Sequence, residues 1–268
     1  MPFFDTTDET SLFYSEWGQG QPLLFLSSLG CSHEMWQYQF AALAEAGYRC
    51  IGFDRRGHAR SDQPARGYDF DTLADDVAGL INALELDNVT LIAHSMAGGE
   101  VVRYVSRHGD GRIRRIVLLA PTTPRLLSDG DESIGLPRAN FEALWEQWMH
   151  DYPKWVDDNL APFFIPETSR AMVQWGPSLL QATVPVAIAC SRAMVEADFR
   201  AEMRRIQVPC LLIHGDRDRS APIELTGQPS AALLPNCRLV TYEGAPHGLM
   251  FTHMERLHRD ILHFLHEI

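Results

Sequence analysis

Three residues far apart in the sequence have the types that acyl transfer by a serine nucleophile requires. Ser95 follows a short apolar run, Asp218 lies in the stretch GDRDRSAP, and His247 lies in YEGAPHGLM. A serine hydroxyl needs a neighbouring base to become a nucleophile, and a histidine base needs a carboxylate to orient its ring. The order serine, acid, histidine, each in a loop after a separate strand, predicts this chemistry.

Ser95 stands at the centre of LIAHSMAGGE, where an apolar strand turns into a Gly-rich helix start. A nucleophile turn of the form G-x-S-x-G needs small residues two positions either side of the serine, and here they are Ala93 and Ala97. We expect backbone strain at Ser95 itself, and close packing at Gly98 and Gly99 to explain two glycines early in a helix. The alternative is an ordinary helix that begins with a serine cap.

The acid and the base each have competitors in the sequence. Asp218 is preferred to Asp216, which directly follows a strand-ending glycine and is typical of a turn residue that bonds its own backbone. His94 precedes Ser95, but successive side chains of a strand point to opposite faces, so we expect it to point away. Four more histidines are predicted on the solvated face of the last helix: His253, His258, His263 and His266.

A tetrahedral intermediate needs two amide donors directed at its oxyanion. In this kind of turn one donor is the residue after the nucleophile, here Met96. The other is expected in the loop SSLGCSHEMW that follows the strand PLLFLS. Leu29 is the preferred donor, with Gly30 giving the loop its freedom to turn.

Apolar runs of strand length alternate with helical patterns along most of the chain. This alternation predicts an α/β fold, in which a mostly parallel sheet has helices on both faces and its chemistry at the carboxyl ends of the strands. One predicted helix covers residues 72–84, with Thr72 and Asp75 as its capping pair. The predicted strands are 12–17, 22–27, 49–54, 89–93, 113–120, 210–214 and 238–242.

The chain between residues 120 and 210 departs from this alternation, since its roughly ninety residues have helical character and several prolines. We interpret residues 122–205 as an inserted helical cap on a core formed by residues 1–121 and 206–268. Trp145 and Trp148 fall at helical spacing in this insertion. They are predicted to contact substrate, with the alternative that they form the core of the cap itself.

Composition excludes several classes of partner. The 268 residues carry a formal charge of −12 at pH 7, whereas binding to nucleic-acid phosphates needs a basic face. The N-terminus lacks the regions of a secretory signal, and no apolar run approaches the roughly 20 residues that span a bilayer. The 5 scattered cysteines disfavour a disulfide framework and a zinc site. We predict a cytoplasmic protein without nucleic-acid or membrane partners, and the sequence leaves open whether it is a homo-oligomer.

The stretch DRRGHARSD, residues 54–62, follows a predicted strand and contains two adjacent arginines. A basic binding site is one interpretation. The favoured one is a structural loop stabilised by its own ion pairs, with Arg55 and Arg56 balanced by Asp54 and Asp62.

Taken together, these pieces resemble the α/β-hydrolase family over nearly the whole chain. The stretches SSLG, DRRGHARS, AHSMAGGE, GDRDRSAP and GAPHG occur in the family order. The run YDFDTLADDVAGLINALELDNVTLIAHSMAGGEVVRYV resembles the cofactor-free haloperoxidases, perhydrolases and aryl esterases, whereas FLSSLGCSHEMW resembles the enol-lactone hydrolases. The chain departs from the family pattern at Ala93, Ala97 and Ala59, where the family has glycine.

The resemblance implies an eight-stranded, mostly parallel sheet, a serine-linked acyl intermediate and no metal or organic cofactor. It implies that Ser95, Asp218 and His247 form the triad and that Leu29 and Met96 donate to the oxyanion. The expected activity is hydrolysis of a small or medium, fairly apolar carboxylic ester or lactone. Three alternatives stay open: enol-lactone or carbon–carbon bond hydrolysis in ring degradation, perhydrolysis, and ligand reception with low turnover.

Overall fold

The computed structural model of the protein describes residues 2–128 and 135–267. The strands within these ranges are β1 (Phe3–Asp5), β2 (Ser11–Trp17), β3 (Gln21–Leu26), β4 (Tyr48–Phe53), β5 (Val89–His94), β6 (Ile113–Leu119), β7 (Cys210–Gly215) and β8 (Cys237–Tyr242). They form one sheet in the order β1-β2-β4-β3-β5-β6-β7-β8. β2 is antiparallel to β1 and β4, and the other neighbours are parallel. The predicted mostly parallel, eight-stranded sheet is confirmed.

The helices in the described ranges are α1 (Gln37–Glu45), α2 (Phe70–Ala83), α3 (Ala97–His108), α4 (Arg138–Leu160), α5 (Arg170–Trp175), α6 (Val184–Glu196), α7 (Arg200–Met203), α8 (Gly227–Leu233), α9 (Leu249–Thr252) and α10 (Met254–His266). Buried side chains of α2 and α3 pack on one face of the sheet, and those of α1 and α10 pack on the other. This two-sided cover explains why β5 and β7 are buried along their whole length. No helix in the described ranges is both long and apolar enough to cross a membrane.

The start of α2 corrects one expectation. The helix begins at Phe70, and the side chain of Asp69 accepts a hydrogen bond from the backbone N–H of Thr72 at 3.0 Å. Thr72 is therefore inside the first turn, and the prediction that it pairs with Asp75 as the cap is wrong. Both Asp69 and Thr72 are residue types that favour helix starts, and the sequence did not distinguish the two positions.

The described residues between β6 and β7 (120–128 and 135–209), which we call the cap, contain α4 to α7. α4 is interrupted at Asp151, whose backbone is non-helical (φ −156°, ψ 80°). Asp151 Oδ1 accepts a hydrogen bond from the N–H of Lys154 at 3.0 Å, so it acts as a helix cap for the second half of α4. A separate apolar cluster contains Leu127 and several buried side chains of α4 and α6: Phe141, Trp145, Trp148, Ala187, Ile188 and Val195.

The parallel strands place four loops at one edge of the sheet. Ser95 follows the carboxyl end of β5, and Leu29 follows β3. Asp218 follows β7 and His247 follows β8. Since the carboxyl ends of parallel strands meet at one edge, residues more than 200 positions apart in the chain come together there.

Candidate active site

The turn at Ser95 is strained. Ser95 has a positive φ of 59°, which a residue with a side chain adopts only at a cost of about 1–3 kcal/mol. Its N–H donates to the carbonyl of Leu119 in β6 at 3.0 Å, and its carbonyl accepts from the N–H of Gly98 at 3.0 Å. The flanking Ala93 and Ala97 are fully buried. The strain that the sequence predicted at this position is confirmed.

Close packing explains the two glycines that follow Ala97, Gly98 and Gly99. A Cβ built on Gly99 would lie 2.6 Å from the ring of Phe70 and 2.7 Å from that of Phe199. One on Gly98 would lie 2.9 Å from the side chain of Pro121. These contacts leave no room for alanine, although glycine is unfavourable within a helix. The predicted close packing is confirmed.

Asp218 and His247 are hydrogen-bonded and buried. Nδ1 of His247 lies 2.7 Å from Oδ2 of Asp218. The other carboxylate oxygen of Asp218 accepts from the N–H groups of Ser220 (2.9 Å) and Ala221 (2.8 Å). Burial alone would raise the pKa of Asp218, but His247, His214 and the Ala221 amide together hold that pKa well below its ordinary value. The carboxylate can therefore only accept, so the proton of a neutral His247 is on Nδ1 and its Nε2 carries a lone pair.

Two further histidines support this pair, and the sequence did not identify them. Nε2 of His214 lies 2.8 Å from the carbonyl of Ala221 and 3.2 Å from Oδ2 of Asp218, so its N–H donates to both. Nε2 of His94 donates to the carbonyl of His247 across 3.0 Å. Both rings are completely buried. In residues 2–128 and 135–267, no group of three or more His, Cys, Asp or Glu side chains is arranged to hold a metal ion.

The residue directly before Ser95 contacts His247. The rings of His94 and His247 are 4.5 Å apart between centroids, and His94 is the residue directly before Ser95. The Ser95 hydroxyl itself has no hydrogen bond to any residue that the structure describes, and Ser95 is 6% exposed. Hydrogen bonds between nucleophile and base are often long in unliganded sites and shorten when substrate binds.

Hydrogen bonds join the loop that carries His247 to the residues that follow β7. Asp216 Oδ1 accepts from the N–H of Gly244 at 2.7 Å, and the N–H of Arg217 donates to the carbonyl of Ala245 at 3.0 Å. A Cβ on Gly215 would lie 2.0 Å from that carbonyl, so only glycine fits at this strand end. The expectation that Asp216 bonds its own backbone is wrong, because its carboxylate bonds the neighbouring loop.

Two backbone N–H groups in the loops after β3 and β5 have no acceptor among the described residues. Neither the N–H of Leu29 nor that of Met96 forms a hydrogen bond with any described residue. The neighbouring N–H of Gly30 donates to Nε2 of His58 at 3.2 Å, which excludes it as a free donor. Gly30 has a φ of 77°, as expected for a residue that lets the loop turn. The N–H groups of Leu29 and Met96 are thus unpaired within the described residues, and their role as oxyanion donors stays a prediction.

The arginines of DRRGHARSD are not paired within their own loop. Arg55 bonds Glu100 on α3, while Arg56 bonds Asp76 on α2 and Asp8. The nearby acids of the loop have other partners: Asp54 accepts from the N–H and Nδ1 of His33, and Asp62 accepts from the N–H of Ser11. The interpretation as a structural loop stands, but the predicted pairing within the loop is wrong.

Trp145 and Trp148 lie in the apolar cluster of the cap. Trp145 donates from Nε1 to the hydroxyl of Ser191 at 2.9 Å, and the guanidinium of Arg192 lies 5.0 Å from the centre of its ring. Trp148 packs edge-on against Tyr152 and has no acceptor for its Nε1–H among the described residues. Contact of either tryptophan with substrate stays a prediction.

Comparison with known proteins identifies the family. A family model described as the alpha/beta hydrolase fold matches residues 21–254. The chain belongs to the α/β-hydrolase family. This α/β-hydrolase is 38% identical over 275 aligned positions to a non-heme chloroperoxidase of Kitasatospora aureofaciens, with 100% of both chains covered.

Two other similar α/β-hydrolases carry names that refer to esters. One is a bifunctional esterase/perhydrolase of Acinetobacter calcoaceticus, 30% identical with 99% of both chains covered. The other is the solved structure of an esterase from Exiguobacterium antarcticum, which superposes with a TM-score of 0.94 at 30% identity and 99% coverage of both chains. These similarities confirm the resemblance that the sequence motifs indicated, both to the family and to its haloperoxidase and esterase members.

Proposed function

We propose that this α/β-hydrolase is a serine hydrolase of small or medium, fairly apolar carboxylic esters or lactones. The observation that carries the proposal is the buried hydrogen bond from Nδ1 of His247 to Asp218, at the sheet edge where the strained turn presents Ser95. A histidine held in this way has its Nε2 lone pair free to accept a proton.

Hydrolysis then proceeds through an acyl-enzyme. His247 removes the proton of the Ser95 hydroxyl as the oxygen attacks the ester carbonyl, and the carbon–oxygen π bond opens to an oxyanion. His247 gives this proton to the leaving alcohol as the tetrahedral intermediate collapses to acyl-Ser95. Water attacks the acyl group next, with His247 again accepting and returning the proton, and the acid is released. Asp218 stays ionised throughout and stabilises the imidazolium form of His247.

The N–H groups of Leu29 and Met96 act on the charge that forms on the carbonyl oxygen. Donors fixed in the folded protein stabilise a developing oxyanion without reorganising, and removal of one such donor typically costs about 10²–10³ in rate. Their lack of any other acceptor in the described chain supports this role.

An apolar acyl or alcohol group suits the surroundings of His247. The ring of Phe163, in the cap, packs edge-on against His247 with centroids 5.6 Å apart. Leu29 packs against the apolar cluster of the cap, and the side chain of Leu180 lies close to Gly30. These apolar cap residues support a substrate with a hydrocarbon group near the reacting carbonyl.

Perhydrolysis is a second activity that the same residues support. The name of the Acinetobacter relative, a bifunctional esterase/perhydrolase, includes this activity. In this reaction hydrogen peroxide replaces water as the acceptor: a peroxide oxygen attacks acyl-Ser95, His247 moves the proton, and a peracid leaves. The chemistry differs from hydrolysis only in the second nucleophile, so both reactions require Ser95.

The test is the rate of hydrolysis of p-nitrophenyl acetate by the wild type, Ser95→Ala and Ser106→Ala. Ser106 lies on the exposed side of α3 and provides the same chemical change away from the site. We expect Ser95→Ala to lower kcat/KM by about 10⁴-fold or more, as for nucleophiles of serine triads, and Ser106→Ala to leave it unchanged. Phosphonate labelling of Ser95 without turnover of any ester, lactone or dienoic ketone would contradict the proposal and favour a ligand receptor.

A further inference from the structure

Arg55 connects the two segments that carry the free amides. Its guanidinium donates to the backbone carbonyls of Ser27 (2.7 Å) and Ser28 (3.2 Å), the two residues directly before Leu29. The same guanidinium donates from Nε to Oε1 of Glu100 at 2.8 Å, with a second bond from NH2 to the same oxygen. Glu100 is on α3, the helix that starts directly after Ser95 and Met96.

Stability alone does not account for the geometry of this ion pair. Arg55 is 3% exposed and Glu100 is 1% exposed, so the cost of removing both charges from water is large. A fork in which both carboxylate oxygens accept would offset the cost best. Here only Oε1 accepts from Arg55, and the buried Oε2 of Glu100 has no hydrogen-bond partner among the residues that the structure describes. The guanidinium is instead turned so that its remaining N–H groups reach the two serine carbonyls.

Among the described side chains that contact Arg55, Glu100 supplies the counter-charge. Burial raises the pKa of the Cys31 and Cys190 thiols to about 12, so both stay neutral. Burial and the charge of Arg55 lower the pKa of His58 to about 3, so His58 is neutral as well. Its Nδ1–H donates to the carbonyl of Arg56 at 2.9 Å, which leaves Nε2 to accept from Gly30.

These contacts fix the direction of three successive peptide groups, with the N–H of Cys31 as a second donor to the Ser28 carbonyl at 3.2 Å. The carbonyls of Ser27 and Ser28 point at Arg55, and the N–H of Gly30 points at His58. Because the carbonyl of one residue and the N–H of the next belong to one planar peptide, holding the Ser28 carbonyl also sets the N–H of Leu29 in the opposite direction.

We propose that Arg55, anchored by Glu100, is a positioning residue that aligns the Leu29 amide with the Met96 amide for oxyanion stabilisation. This inference rests on the proposed serine hydrolase function. It assigns the first arginine of DRRGHARSD to catalysis through Leu29, without contact between Arg55 and substrate.

The adjacent arginine provides the matched control. Arg56 is equally buried and forms an ion pair with Asp76, whose side chain is 2% exposed, but its guanidinium contacts neither the Leu29 loop nor α3. Arg55→Lys and Arg56→Lys therefore each remove a planar guanidinium from a buried ion pair, although Arg56 bonds both oxygens of Asp76 and Arg55 bonds one oxygen of Glu100. Only Arg55→Lys disturbs the amide of Leu29.

The experiment measures kcat and KM for p-nitrophenyl acetate, the rate of phosphonylation by ethyl p-nitrophenyl methylphosphonate, and the thermal midpoint of each variant. We expect Arg55→Lys to lower kcat and the phosphonylation rate by about 10- to 100-fold with KM nearly unchanged, since a displaced oxyanion donor acts on the transition state. Both lysine substitutions are expected to lower the thermal midpoint by similar amounts. The kcat of Arg56→Lys is expected to stay within about twofold of the wild-type value.

Glu100→Gln keeps the shape of the side chain and an oxygen that can accept from Arg55. This variant tests the proposal if a lysine variant does not fold. We expect about a fivefold loss of kcat, because the buried guanidinium loses its counter-charge. Equal kcat losses in both lysine variants, or an unchanged kcat in Glu100→Gln, would overturn the proposal. If wild-type turnover does not depend on Ser95, the proposed function fails instead, so the two failures are distinguishable.

Discussion

Nδ1 of His247 lies 2.7 Å from Oδ2 of Asp218, and both side chains are buried at the carboxyl edge of the sheet. This contact joins the loops after β7 and β8, which approach each other because Gly215 leaves space for the carbonyl of Ala245. The carboxylate fixes which nitrogen of His247 carries the proton, and so which nitrogen carries the lone pair.

Two aspartates that lie two positions apart allow this role to be tested with a matched control. Asp218→Asn is expected to lower kcat by about 10³–10⁴-fold, because an amide next to His247 no longer requires the Nδ1–H tautomer. Asp216→Asn only weakens the bond to the Gly244 amide, so its kcat is expected to change by less than about twofold. Ester hydrolysis rates at saturating substrate measure both. Equal losses in the two variants would contradict the assignment of Asp218.

The stability of the fold at acidic pH depends on His58. Burial and Arg55 lower the pKa of its imidazole from 6.5 to about 3, so between these pH values the unfolded chain binds a proton that the folded chain does not. The free energy of unfolding therefore falls as the pH drops through this window, by up to about 1.4 kcal/mol per pH unit. His58→Gln keeps an acceptor for Gly30 without titrating, and its stability is expected to fall less steeply.

Urea unfolding at pH 7, 6, 5 and 4 provides the comparison. Burial also keeps the pKa of His94 well below its ordinary value, so some dependence on pH remains in the variant. His150→Asn at the surface of α4 serves as the control and is expected to follow the wild type. Parallel curves for the wild type and His58→Gln would show that His58 does not titrate as described.

Backbone strain at Ala59 is a second testable feature. Ala59 has a φ of 45°, a left-handed conformation that costs about 1 kcal/mol or more for a residue with a Cβ. We expect Ala59→Gly to raise the free energy of unfolding by about 0.5 kcal/mol. The relief of strain is larger than this, but the greater conformational freedom of glycine in the unfolded chain offsets part of it. The same substitution at exposed Ala41 in α1 is expected to lower it by about 1 kcal/mol. Destabilisation by both substitutions would show that the strain is absent.

The inner strands β5 and β7 were predictable because their apolar runs are nearly continuous, and such runs occur where both faces of a sheet are covered. β1 was missed, since it is 3 residues long and pairs only with β2. The turn at Ser95 was also predictable: small neighbours, a preceding strand and two later loops with an acid and a base together specify it.

The contacts between distant segments were not predictable. The sequence pairs Arg55 and Arg56 with the nearest acids, but their partners Glu100 and Asp76 are 45 and 20 positions away, on helices that pack over the loop. The side chain of His94 was expected to point away from the site. Alternation along a strand predicts the face of the sheet on which a side chain lies, but it does not predict which loop covers that face. Here the loop that contacts His94 carries His247.

The most direct test of the central claim is the site of the acyl group during turnover. The wild type is mixed with p-nitrophenyl acetate, quenched with acid within milliseconds, and digested for peptide mass analysis. We predict an added acetyl group on the peptide that contains Ser95, and this group accumulates together with a burst of nitrophenol. The acetyl group is expected to be absent from Ser95→Ala. Turnover with an acetyl group on another residue, or turnover at an unchanged rate in Ser95→Ala, would contradict it.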